Sequence, residues 1–346
     1  MTWQEELGLW VTKLELEDGT YSYKIVVNDG EAWLTDPANP LGESDGFGGS
    51  NSLIEQSCDG TTVPEVTDSQ CVSEEFDWLD AIMYFAMTDR FYDSDGQVDP
   101  VPGSTGGDPR YGPSGQYAGG DLRGVTEKLP YLRDLGVNSV WLSAPFENRN
   151  YAGPAMTPGA DPSLYSAYHG YWPSPANINF DNPDAPSPVP AVESRIGTSD
   201  DLHEFVDAAH TTETFDGNTI KVLFDYVMNH VDIASGLYEA HPEWFVSDNG
   251  SIPLCGPQNL WEDPYWGTRC AFTDYLPAFD FYNDEARQWS INDAIWWAKE
   301  YGIDGYRLDA IKHVPLSWLT DLRSSLNQTF EDPAGDRFYL VGDTPA

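Results

Sequence analysis

Apolar, strand-like runs alternate with amphipathic helical segments from about residue 78 to the end of the chain. The strand-like runs are 81–91, 137–146, 220–230, 304–314 and 337–346, and the helical segments are 124–136, 198–210, 284–302 and 315–330. Such alternation predicts parallel strands joined by helical crossovers, as in a (β/α) barrel or a doubly wound sheet. No glycine-rich phosphate turn follows the first strand, which argues against a dinucleotide-binding sheet.

Two long excursions interrupt the alternation, at about 147–197 and 231–283. Loops of this length in a compact domain usually carry function or form a subdomain. Both leave from the carboxyl ends of predicted strands, which is where barrel enzymes build their active sites.

The N-terminal part of the chain has a different pattern. Residues 1–56 contain short alternating runs separated by turn residues, which predicts an antiparallel β module. Residues 57–77 are polar and rich in turn formers, so we interpret them as a linker. The predicted domains are therefore 1–56 and 78–346.

Polar residues follow the predicted strands at their carboxyl ends. An isolated Arg-x-Asp in a strand, such as Arg307 and Asp309, is usually a structural ion pair, because alternate side chains share one face. Here the pattern repeats from strand to strand, and this convergence is what a barrel active site requires. The residues are Thr88, Asp89, Arg90, Asp225, Asn229, His230, Arg307, Asp309, Lys312, His313 and Asp343.

Charge and cysteine content limit the partners and the compartment. With 17 basic and 57 acidic residues the net charge is −40, which argues against nucleic acid and against an anionic membrane surface and favours a neutral substrate. The sequence has no apolar run of 18 residues, and no signal peptide is visible. Four cysteines in two close pairs favour disulfides in a secreted or periplasmic protein over free thiols in a cytosolic one.

Several segments resemble the signature regions of the α-amylase family of glycoside hydrolases, in family order. They are "YAGGDLRGVTEKLPYLRDLGVNSVWLSAPFEN" (117–148), "YHGYW" (168–172), "DYVMNH" (225–230), "YLPAFDFYNDEAR" (275–287) and "GYRLDAIKHV" (305–314). The resemblance implies an α/β fold, a partial (β/α)8 TIM barrel with a loop-rich subdomain at about 231–283. The N-terminal "GTYSYKIVVND" is similar to the starch-binding-like β-sandwich modules that precede such barrels.

The resemblance also implies roles for individual residues in the retaining cleavage of an α-glucosidic bond. Asp309 matches the catalytic nucleophile, Arg307 the residue that orients it and Asp343 the general acid. Asp225 matches a structural partner of the arginine. The predicted sugar contacts are His169, Tyr171, Trp172 and His230 at the cleaved unit, and Lys312 and His313 on the leaving-group side.

The chain departs from the family pattern at two points that bear on catalysis. Asp343 stands where the family has a glutamate. The third family carboxylate and three barrel strands have no counterpart before Ala346, so we interpret the barrel as incomplete. The expected substrate is starch, glycogen or a related α-glucan. Hydrolysis is the first hypothesis, and a transglycosylase or a non-catalytic glucan-binding relative are the alternatives.

The acidic loop "DSDGQVD" (93–99) resembles a calcium loop of some family members. Its predicted ligands are Asp93, Asp95, Asp99, Gly119 and Asp121, whose oxygens suit a hard cation. A solvated acidic loop is the alternative interpretation. Asn229 matches a ligand of a second calcium site of the family. Ala278 stands where many relatives contribute an aspartate to that site, and Asp280 is the alternative oxygen donor.

Non-reducing peptide mapping should recover two linked peptide pairs, one joined through Cys58 and Cys71 and the other through Cys255 and Cys270. Each pair closes a short, turn-rich loop, which is the arrangement in which a disulfide restrains the unfolded chain. Recovery of four free thiols would contradict this prediction.

Overall fold

A computed structural model describes most of the 346 residues. The described residues are 2–4, 9–11, 19–27, 32–36, 39, 41–45, 49–56, 76–106, 115–154, 163–330 and 337–343. The chain divides into two compact units, Met1–Val72 and Ser73–Ala346.

The first unit contains short antiparallel strands. They are β1 (Thr2–Gln4), β2 (Leu9–Val11), β3 (Gly19–Tyr23), β4 (Ile25–Val27), β5 (Ala32–Leu34), β6 (Gly42–Ser44) and β7 (Ser50–Gln56). β7 pairs with both β3 and β6, while β1 pairs with β2 and β4 with β5. The predicted antiparallel pairing is therefore present, whereas the sandwich arrangement stays a prediction. Cys58 and Cys71 lie outside the described residues.

The second unit alternates strands and helices. Its strands are β8 (Met83–Ala86), β9 (Ser139–Leu142), β10 (Gly153–Pro154), β11 (Leu164–Tyr165), β12 (Lys221–Tyr226), β13 (Gly305–Leu308) and β14 (Tyr339–Gly342). Its helices are α1 (Thr88–Phe91), α2 (Leu122–Glu127), α3 (Leu129–Asp134), α4 (Ser199–Thr211), α5 (Gly236–Ala240), α6 (Asp284–Tyr301) and α7 (Leu316–Phe330).

Five of these strands form one parallel sheet in the order β14-β13-β12-β9-β8. Each strand lies beside the next parallel strand along the chain, and the order never reverses. A doubly wound sheet reverses its order at the ligand crevice, whereas a barrel does not. The observed strand order is the one a barrel has, whereas the partial barrel itself stays a prediction. The carboxyl ends of all five strands share one edge.

The main hydrophobic core lies between one face of this sheet and the helices. Val140, Phe224 and Tyr306 point into it from three strands and are fully buried. Trp289, Trp296 and Trp297 of α6 are at most 8% exposed and belong to the same core. Alternate residues of the same strands, among them Trp141, Asp225 and Arg307, occupy the opposite face.

Local signals determine where α4 begins and where α6 begins and ends. Thr198 caps α4, with Thr198 and Asp201 forming a reciprocal capping box. Asn283 caps α6 at its N-terminus, and Gly302 ends it with φ +65°, a conformation that glycine adopts without strain.

Several predicted elements have different bounds in the structure. The helix predicted over 124–136 is divided at Lys128, because Pro130 lacks the N–H that a continuous helix would need and instead lies in the first turn of α3. The strand predicted over 81–91 ends at Ala86, and "TDRF" forms a helical turn. The strand predicted over 304–314 ends at Leu308, so Lys312 and His313 lie on a 3-10 turn, Ile311–His313.

Cys255 and Cys270 form the predicted disulfide within the second excursion. Among the described residues, no helix combines the length and the apolar character that crossing a membrane demands.

Candidate active site

The side chains at the carboxyl ends of β12, β13 and β14 meet around one guanidinium. Asp225 and Arg307 are register partners on adjacent strands, so their side chains leave the sheet side by side. Asp309 and Asp343 follow β13 and β14, and their backbone N–H groups extend the ladder by donating to Tyr226 and Leu308. Strand pairing therefore sets the positions of all four side chains.

Arg307 donates to three carboxylates. Its Nη1 lies 2.7 Å from Asp225 Oδ1 and 2.9 Å from Asp309 Oδ1, and its Nη2 donates to Asp343 Oδ2. The Arg307 side chain is 9% exposed and stacks over Trp141 at 5.0 Å. The sequence prediction that Arg307 and Asp309 share a face agrees with this contact.

Asp225 supports the arginine from the buried side. Its Oδ2 accepts a hydrogen bond of 2.8 Å from the Tyr171 hydroxyl, so both carboxylate oxygens are engaged. Burial raises the pKa of Asp225 to about 7, although the Arg307 charge acts in the opposite direction. Burial, followed by the Asp225 charge, also raises the pKa of Tyr171, which therefore stays a donor.

The segment 168–172 places two aromatic residues beside the site and buries a third. His169 Nδ1 accepts from the Tyr171 N–H at 2.9 Å, and the two rings stack at 5.5 Å. Burial and the Arg90 charge lower the pKa of His169 to about 4, so this imidazole is neutral. Trp172 was predicted as a wall of the sugar site, but it is 1% exposed and packs behind His169.

His230 is buried next to the same segment. Its Nε2 donates to the Tyr171 carbonyl at 3.0 Å, and its Nδ1 lies 3.3 Å from Asn229 Nδ2. Burial lowers the pKa of His230, while the Asp309 charge raises it. The amide of Asn229, a predicted calcium ligand, is thus in contact with the His230 ring.

Lys312 and His313 contact the second excursion. Lys312 forms an ion pair with Glu262, and His313 Nδ1 lies 2.8 Å from the Gly267 carbonyl oxygen. Phe272 connects this region to the rest of the site, because its ring lies 5.6 Å from His230 and 5.1 Å from His313. Sequence reasoning missed Phe272, since it lies in a loop with no periodicity.

The acidic loop brings three of its predicted ligands together. Oxygens of Asp93, Asp95 and Asp121 lie within 4.8 Å of one another, the one such group of acidic, histidine or cysteine side chains among the described residues. Gly119 has φ +97°, and a Cβ there would lie 2.8 Å from both Asp93 Oδ2 and the Gln97 carbonyl oxygen. Asp99 lies apart, with its side chain 75% exposed and 3.6 Å from Arg195 Nε.

Replacing Arg307 with lysine should lower the free energy of unfolding by about 3 kcal/mol, because one ammonium cannot serve three carboxylates and leaves buried charge unpaired. The control is Arg133→Lys, whose pair with Asp134 is exposed, and it should change stability by less than about 0.5 kcal/mol. Urea unfolding of both variants measures the difference. Equal losses of unfolding free energy in the two variants would show that the Arg307 guanidinium does not stabilise the fold through its three carboxylate contacts.

The sequence is similar to those of known proteins. Residues 85–345 match the protein family described as "Alpha amylase, catalytic domain". A periplasmic α-amylase of Escherichia coli strain K12 is 28% identical over 330 residues, covering 75% of this chain and 45% of the relative. A cyclomaltodextrin glucanotransferase of Bacillus sp. strain 38-2 is 30% identical over 274 residues, covering 74% of this chain and 34% of the relative.

Solved structures show the same similarity. The α-amylase from Geobacillus thermoleovorans, complexed with acarbose, matches with a TM-score of 0.55 and 28% identity, covering 79% of this chain and 48% of that one. An Anoxybacillus α-amylase matches with a TM-score of 0.56 and 27% identity, covering 78% and 48%. The chain thus spans about half the length, or less, of the proteins it matches.

Proposed function

This chain belongs to the α-amylase family, whose catalytic-domain description matches residues 85–345, and we propose that it carries the active site of a retaining glycoside hydrolase. The substrate is an α-glucan such as starch, glycogen or a maltooligosaccharide, cleaved within the chain at α-1,4 bonds. One observation carries the proposal: Arg307 binds Asp309 and Asp343 at the ends of neighbouring strands. Two carboxylates on one guanidinium favour the short separation of retaining enzymes, roughly 5–5.5 Å.

In the first step the Asp309 carboxylate attacks the anomeric carbon, and the bond to the leaving oxygen breaks. Asp343 donates its proton to that oxygen. In the second step water attacks the glycosyl–Asp309 ester, passes a proton to Asp343 and releases the sugar. Arg307 holds Asp309 in place for both steps, and Asp225 with Tyr171 holds Arg307.

Neighbouring side chains form the walls of the sugar site in this proposal. His169, Tyr171 and His230 surround the cleaved unit, and Trp172 supports His169 from behind. Lys312 and His313 line the leaving-group side. All of these histidines are neutral near pH 7, because burial lowers their pKa values.

Asp343 is poorly suited to donate a proton to the leaving oxygen. An aspartate withdraws the proton by one methylene relative to glutamate, and a misplacement of about 1 Å can cost about 100-fold in rate. In addition, one oxygen of Asp343 is engaged by Arg307. Protonation of the leaving group is therefore the step expected to limit turnover.

In the protein expressed from its complete reading frame, Asp343→Glu should raise the rate on starch by about 10- to 100-fold. The rate on α-glucosyl fluoride should barely change, because fluoride needs little protonic help to leave. Asp309→Asn should abolish both activities. Reducing-sugar and fluoride-release assays measure them.

The matched control is Asp321→Glu, since the Asp321 and Asp343 side chains are equally exposed and each contacts an arginine. It should leave both rates unchanged. Retained cleavage by Asp309→Asn would disprove the nucleophile assignment. Binding of starch without cleavage of either substrate would instead favour a non-catalytic glucan-binding relative.

Transfer to a sugar acceptor is the second candidate reaction, because the same glycosyl–Asp309 ester could react with a hydroxyl in place of water. The similarity to cyclomaltodextrin glucanotransferases favours it. Chromatography of the products from a maltooligosaccharide separates the two, since transfer yields longer or cyclic products.

We also propose that Ca²⁺ binds at the acidic loop. Asp93, Asp95 and Asp121 present carboxylate oxygens, and Gly119 leaves the space in which Asp93 Oδ2 and the Gln97 carbonyl converge. Hard oxygen ligands of this kind suit calcium. Bound calcium would tie this loop to Asp121, the N-cap of α2, and would stabilise the folded state without taking part in bond cleavage.

Adding calcium after chelation should raise the melting temperature by a few degrees, and Asp93→Asn should eliminate that increase. Asp99→Asn is the control, because Asp99 lies outside the three-carboxylate group, and its calcium response should remain. Thermal scans with calcium and with chelator test this. Loss of the response in Asp99→Asn would restore Asp99 to the ligand set.

An exported location fits these features. The disulfide between Cys255 and Cys270 favours an oxidising compartment, and the matched Escherichia coli relative is periplasmic. We further propose that residues 1–56 form a starch-binding-like β-sandwich, on the support of their antiparallel pairing.

A further inference from the structure

The loop closed by the disulfide, residues 255–270 and hereafter the cystine loop, has little regular structure of its own. It contains one 3-10 turn, Trp266–Thr268, and it closes on a short pairing of Leu254 with Ala271. Cys255 and Cys270 are both buried. The disulfide is therefore a main restraint on where this loop lies.

Three residues of the cystine loop contact the turn that follows Asp309. The Gly267 carbonyl lies 2.8 Å from His313 Nδ1, the Trp261 ring lies 5.2 Å from the His313 ring, and Glu262 pairs with Lys312. Glu262 is largely exposed, and exposed ion pairs contribute little. The buried contact with the Gly267 carbonyl is the stronger restraint.

This contact selects one tautomer of His313. A carbonyl oxygen only accepts, so Nδ1 must carry the proton. Burial lowers the pKa of His313, so the ring is neutral near pH 7 and its Nε2 is an acceptor. Within the described part of the chain, Nε2 has no hydrogen-bond partner, and a sugar hydroxyl could supply one.

We propose that the cystine loop is a positioning element for the leaving-group side of the site: the Gly267 carbonyl holds His313 in the Nδ1–H tautomer, so that Nε2 accepts a hydroxyl of the departing glucan. The inference rests on the proposed function. Opening the disulfide releases the carbonyl, and His313 then loses both its orientation and its tautomer. A loop that merely stabilised the fold would affect all substrates alike.

The test uses the double variant Cys255→Ser/Cys270→Ser, which leaves Cys58 and Cys71 untouched. Its kcat/KM on maltoheptaose should fall by about 10-fold, mainly through KM, because the loss of one sugar hydrogen bond typically costs about tenfold in binding. The rate on α-glucosyl fluoride should stay within about twofold, since this substrate places no sugar on the leaving-group side. Equal losses on both substrates would overturn the proposal.

A second measurement needs no turnover. The ¹⁵N chemical shifts of His313 report which ring nitrogen carries the proton, and the parent protein should show the Nδ1–H tautomer. The double variant should shift toward the Nε2–H form, whereas His230 should keep its shifts, because its contacts do not involve the cystine loop. An unchanged His313 tautomer in the double variant would overturn the proposal, whatever the activity. If the parent protein itself cleaves neither substrate, a changed tautomer in the double variant would support the positioning role and refute the proposed function instead.

Discussion

The site depends on one guanidinium that is shared by three carboxylates. Arg307 contributes a single positive charge to Asp225, Asp309 and Asp343, in a chain whose net charge is −40. One positive charge cannot neutralise three carboxylates. Burial favours the neutral form of Asp225, and the Tyr171 hydroxyl donates a hydrogen bond to it. The shared guanidinium thus links the innermost carboxylate to the two at the ends of β13 and β14.

The parallel strand order makes this sharing possible. Because β12, β13 and β14 are neighbours in both sequence and space, residues far apart in the chain reach one edge with a fixed register. The long excursions leave from the same edge and return with Tyr171 and Gly267, which contact side chains that the strands have already placed. The strands therefore set the coarse geometry, and the loops set which atoms of each side chain stay available.

Sequence reasoning reached the features that side-chain chemistry encodes locally. The helices predicted over 198–210 and 284–302 match α4 and α6 to within one residue at each end, because periodicity and capping residues are local signals. Other features depend on tertiary contacts: the Gly267 carbonyl reaches His313 through a backbone atom 46 residues away, and any residue type carries a carbonyl. Trp172 was misplaced for a related reason, since an aromatic residue beside a site packs equally well facing it or behind it.

The two faces of the parallel sheet have separate tasks. Val140, Phe224 and Tyr306 pack against helices on one face, while Trp141, Asp225 and Arg307 serve the site on the other. Because neighbouring positions of a strand alternate between the faces, every second residue of β9, β12 and β13 evolves under a different demand. Substitutions on the helix side are constrained by side-chain volume and shape. Substitutions on the inner side are constrained by charge and by hydrogen-bond geometry. A lineage could thus exchange one chemistry for another while inheriting its scaffold almost intact.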